Sequence, residues 1–179
     1  TEQKSLHSFC RWTFNPGKGG FVPGNVRGQW SSQKLDSAGV IRLVKEKIVP
    51  RLPSNIMLGY ELHYDSEVDE KNASAIVDAL SDSGMYLAMI TPGAHSHFAY
   101  GGIASMDERE RKAAQELGAK TVDIAYGLLK KAWHSSPEFY PTFVLWNGSY
   151  GYDLASIAVK RRCPTGAAHG VACVSAAQQ

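Results

Sequence analysis

The chain has 179 residues, of which 44% are hydrophobic and 20% charged, with a formal net charge of +2. Such a composition is that of one soluble globular domain with a real core. No Lys/Arg cluster interleaved with aromatics marks a nucleic-acid surface, and no apolar run approaches the ~18 residues of a membrane span. Thr1-Glu2-Gln3-Lys4 is not followed by the apolar region of a signal peptide, so the expectation is a cytoplasmic protein without nucleic-acid or membrane partners. Cys10, Cys163 and Cys173 form no Cys-x-x-Cys pair and read as reduced thiols.

Between Leu6 and Trp146, short apolar runs alternate with longer segments of helical period. This is the pattern of successive βα units around a parallel sheet, and four units are predicted. The first strand is expected at 8–14, followed by a Gly/Pro-rich loop at 15–30. A helix then carries Val40, Ile41, Leu43, Val44, Ile48 and Val49, capped by Asp36 or Ser37 and closed by Pro50. The second strand, 56–63, leads through Ser66-Glu67-Val68-Asp69 to a helix with Ala73, Ile76, Val77 and Leu80 on one face, stopped at Gly84.

The third strand, 85–91, is apolar almost throughout, as expected for one covered on both faces, and Pro92-Gly93 ends it. Ser105-Met106-Asp107-Glu108 has the spacing of a capping box and opens a long helix through Ala113, Ala114, Leu117, Val122, Ala125 and Leu129. Gly118 and Gly127 are the places where that helix could kink or divide. The fourth strand is expected at 142–146, with Asn147-Gly148 as its turn. From 158 to 179 a basic cluster, Lys160-Arg161-Arg162, precedes small residues without period, which reads as a disordered or out-of-frame tail; the domain is 5–157.

Phe9-Cys10-Arg11-Trp12-Thr13, Leu62-His63-Tyr64-Asp65, the stretch 91–105 and Phe143-Val144-Leu145-Trp146-Asn147-Gly148, taken in order, resemble the first half of the xylose isomerase family. The resemblance implies half of a (β/α)8 TIM barrel: four βα units with a curved parallel sheet. A whole barrel typically needs roughly 250 residues. The chain is accordingly expected to be a truncated half barrel. Phe9, Met57, Met89 and Phe143 are expected on the inner face of that sheet, where their exposure would drive completion by a homodimer or higher homo-oligomer.

Active sites of such barrels lie at the carboxyl ends of the strands. The resemblance implies that His63 is the catalytic histidine that assists sugar ring opening, with Asp65 or Glu67 as the nearby acid, since Ser66 stands where the family has its own. In this chain His63 and Asp65 would be vestigial. It further implies a substrate-binding wall of Trp12, Trp146 and His95, the last in place of a phenylalanine. Without the resemblance, His63 reads more readily as an ordinary polar or structural residue, and the alternative for both tryptophans is core packing. His95-Ser96-His97 reads as either a small metal pair or a solvated loop, and Gly17-Lys18-Gly19-Gly20 lacks the phosphate-loop pattern.

The family's reaction uses two divalent cations, Mg, Mn or Co, held by carboxylates and histidine of strands five to eight. No cofactor is therefore expected here. Two functional readings follow: a half barrel without isomerase activity of its own, or a homodimer that binds sugar, or weakly interconverts aldose and ketose, in a pocket at its interface.

Overall fold

The computed structural model describes residues 36–94, 97–98, 101–134 and 140–144, together with the backbone of 5–10. It is an α/β structure with a small parallel sheet. The strands are β1 (Ser5–Cys10), β2 (Ile56–Tyr64), β3 (Tyr86–Pro92) and the two-residue β4 (Thr142–Phe143), side by side in the order β1-β2-β3-β4. Three helices connect them: α1 (Ser37–Lys47), α2 (Ala73–Asp82) and α3 (Glu108–Gly127). Among the described residues no helix is long and apolar enough to cross a membrane.

The described residues fall into two compact units. The first takes residues up to Leu62, Glu67–Met89 and Leu129–Thr142. Its helix α1 starts at Asp36, whose carboxylate accepts from the Gly39 N–H at 2.7 Å, so the cap is Asp36 rather than Ser37. The helix ends at Lys47, and Val49–Arg51, with Pro50 inside it, forms a separate 3-10 turn. Ile48 and Val49 thus leave the helical face on which their spacing had put them. Ile41 and Val44 are its buried apolar positions, and α1 packs against α2.

The turn into α2 is held by reciprocal bonds: Asn72 donates its N–H to Asp69 Oδ1 at 3.0 Å, and the Asp69 N–H donates to Asn72 Oδ1 at 2.9 Å. Ser37 Oγ and Asn72 Nδ2 both donate to the carbonyl of Glu67, at 2.5 and 3.0 Å. At the other end, Gly84 has φ +64°, its N–H bonds the Ser81 carbonyl, and the Met85 N–H reaches back to Leu80. This is a Schellman stop, and Gly84 is required there by its left-handed backbone.

Pairing of β1 with β2 is parallel, with Leu6 beside Met57 and Phe9 beside Tyr60. Since side chains alternate along a strand, Met57 and Gly59 share one face of β2 and Leu58 and Tyr60 take the other. A Cβ built on Gly59 would lie 2.4 Å from that of Ala88, so Met57, Gly59 and Ala88 share one face and Met89 takes the other. The common inner face expected for Met57 and Met89 is therefore corrected, since the register sets them on opposite faces; the side chain of Phe9 lies outside the described residues. The fully buried Tyr60, Leu62 and Leu87 share one face, and the half-buried Met57, Glu61 and Ala88 share the other.

The second unit takes His63–Ser66, Ile90–Leu128 and the residues from Phe143 on. Helix α3 starts two residues later than the capping-box spacing implies. Its N-cap is Asp107, whose carboxylate accepts from the Arg109 N–H at 2.8 Å, while Ser105 Oγ accepts from Asp107 at 3.1 Å. An aspartate between Ser105 and Glu108 outcompetes the serine, because its carboxylate serves a first-turn N–H carrying partial positive charge. The helix runs unbroken through Gly118 and ends at Gly127. Residues beyond Val144, including Asn147-Gly148 and 158–179, and the loop 15–30 lie outside the described residues.

Candidate functional site

The carboxyl end of β2 carries Leu62-His63-Tyr64-Asp65, and that of β3 carries Ile90-Thr91-Pro92-Gly93. Of the second unit's residues there, His63 and Tyr64 are buried, with His63 only 6% exposed, while Asp65 is exposed. Alternation alone would turn either His63 or Tyr64 outward; both are covered, so the histidine does not stand in open solvent.

Two backbone contacts set the geometry. The Gly93 N–H donates to the Tyr64 carbonyl. A Cβ at Gly93 would sit 2.8 Å from that same oxygen and 3.4 Å from the Asp65 nitrogen, so the close approach tolerates only glycine. On its other side β3 is fixed by the Val144 N–H donating to the Ile90 carbonyl at 3.0 Å and by Thr91 Oγ1 donating to the Val144 carbonyl at 3.2 Å.

Beyond Gly93 the chain turns at Ala94, whose carbonyl accepts from the N–H groups of His97, at 3.1 Å, and Phe98, at 2.9 Å. Phe98 is buried with Ala94, Ile103 and Ala114, against which Leu117 packs. That apolar anchor holds His97 beside Asp65: His97 Nε2 lies 2.8 Å from Asp65 Oδ1, with the two side chains 40% and 42% exposed. The His97 ring also rests on Phe98, with centroids 5.9 Å apart. Gly101 and Gly102, both with positive φ, return the loop to α3, where Glu110 Oε1 accepts from the Gly102 N–H at 2.8 Å and Arg111 donates to the Ser105 carbonyl at 2.7 Å.

Of the residues singled out from sequence, the structure places His63 and Asp65 at the end of one strand and brings His97 to Asp65. Trp12, His95 and Trp146 lie outside the described residues. Glu67, the other candidate acid, is buried in the first unit. Sequence reasoning weighed His95-Ser96-His97 as a metal pair or a solvated loop and missed the carboxylate partner of His97, 32 positions away. The available signal was that the two segments end neighbouring strands of a parallel sheet.

The two divalent cations implied by the resemblance are not matched by the donor set in view. Among the described residues no three His, Cys, Asp or Glu side chains gather as a cation would require. What the arrangement can do is hydrogen-bond a polar ligand and move a proton. No protein-family model matches this chain, and no curated protein matches it.

Proposed function

We propose that this chain is a xylose isomerase-like half barrel that binds a sugar at its strand ends and does not, by itself, carry out metal-dependent isomerisation. The observation that carries the reading is the consecutive strand order β1-β2-β3-β4. An unreversed order is how a (β/α) barrel begins, whereas doubly wound sheets reverse direction at a switch point. His63 and Asp65 stand at the carboxyl end of β2, where such a barrel keeps its ligand, and the ordered resemblance in the sequence points to a sugar. No step is derived through a cation.

Self-association belongs to the same proposal. Its support is the sheet edges: among the described residues β1 and β4 end the strand order, and unpaired strand edges are templates for pairing with another chain. The face with Met57 also carries Gly59, Glu61 and Ala88, too small and polar a set to drive face-to-face packing alone. The reading is tested by ketose formation from D-xylose with Mg, Mn or Co added, alongside the solution mass by light scattering. No turnover from a dimer or larger assembly is expected; metal-stimulated turnover, or a strictly monomeric chain, would contradict it.

A further inference from the structure

We infer that His97 is a proton-accepting residue at the strand ends, with Asp65 and Gly93 as its positioning residues, and that it acts on a ligand hydroxyl. The inference rests on the sugar reading for its ligand, but its geometry stands without it. An ionised carboxylate can only accept, so a neutral His97 facing Asp65 Oδ1 at 2.8 Å carries its proton on Nε2. The lone pair is then on Nδ1, which has no hydrogen-bond partner among the described residues. An imidazole whose far nitrogen is held by a carboxylate and whose near nitrogen is open is the arrangement of a general base.

The placement is built rather than incidental. His97 lies on a turn closed by two bonds to the Ala94 carbonyl and anchored by buried Phe98, so its backbone is held beside Asp65, and its ring rests on that of Phe98. Asp65 follows Tyr64, whose carbonyl takes the Gly93 N–H, and no side chain fits at Gly93 without displacing that peptide. In the step itself the ligand O–H bond breaks, the proton passes to Nδ1 and the electron pair stays on the ligand oxygen. The imidazolium so formed is stabilised by the Asp65 carboxylate, and the step reverses by the same path.

The experiment is acylation of the full chain by diethyl pyrocarbonate, read at the peptide that contains His97 by mass spectrometry, with His97 ring nitrogens followed by NMR. In wild type the NMR signature is a protonated Nε2 and an open Nδ1. Asp65→Asn is expected to slow acylation of His97 by about fivefold, the size an exposed charge pair supports, and to blur the preference between the two nitrogens. Gly93→Ala is expected to do the same while the helical circular dichroism persists. Equal rates and unchanged nitrogen signals in Asp65→Asn would overturn the inference and leave an ordinary surface ion pair. Added D-xylose should protect His97; absence of protection while Asp65→Asn still slows the reaction would remove the sugar reading and keep the proton-accepting pair.

Discussion

Gly59 has no room for a methyl group: its Cβ would stand 2.4 Å from the Ala88 Cβ and 3.4 Å from the Tyr86 ring. Gly59→Ala is therefore expected to destabilise the protein by roughly 1–3 kcal/mol, the usual cost of overpacking. Ala88→Gly in the same chain should recover most of that loss in a denaturant titration, which a purely backbone effect at Gly59 would not allow. His63 is buried, so its replacement is a test of role: His63→Ala should cost about 1–3 kcal/mol, as removal of a buried polar partner does, whereas a residue facing an open pocket would cost almost nothing. Tyr86, edge-on to His134 at 5.1 Å, has its phenol pushed up to about 12 by burial. An unfolded tyrosine ionises near 10 while the folded one stays neutral, so this contribution is complete below about pH 10 and is lost as pH rises toward about 12. Tyr86→Phe should flatten the alkaline fall in melting temperature across that window.

At the scale of elements, the helices and the second and third strands were legible because each announces itself locally. The apolar spacing of Ile76 and Leu80 and the glycine stop at Gly84 together define α2, and the structure ends that helix at Asp82. Boundaries were misjudged where two local signals compete. Asp107 displaced Ser105 as cap of α3, and Pro50 lies inside a 3-10 turn instead of closing α1. What was not legible is what depends on pairing. Strand parity on β1, β2 and β3 follows from register, and no single strand contains its register. Likewise the Asp65 to His97 contact joins segments whose only link is that their strands end together. Two substitutions check the local account. Asp36→Ala should cost ~1 kcal/mol through loss of the α1 cap, measured by chemical unfolding. Gly84→Ala, forced to φ +64°, should cost roughly 1–2 kcal/mol with the surroundings unaltered, since no atom lies within 4 Å of the added Cβ.

For the whole molecule, the proposed half barrel joins three things: an unreversed parallel sheet, polar residues at its strand ends, and two strands, β1 and β4, that end the strand order among the described residues. The strand ends gather one buried histidine, one exposed carboxylate and one imidazole bonded to it, a set that suits hydroxyl groups better than a hard cation. Sugar binding without metal is the central claim. It is tested most directly by isothermal titration of D-xylose into the full chain in the presence of a chelator. Saturable binding that persists under chelation and is weakened in Asp65→Asn is the predicted result. Absence of any saturable heat, or binding restored only when Mg, Mn or Co is supplied, would contradict the account.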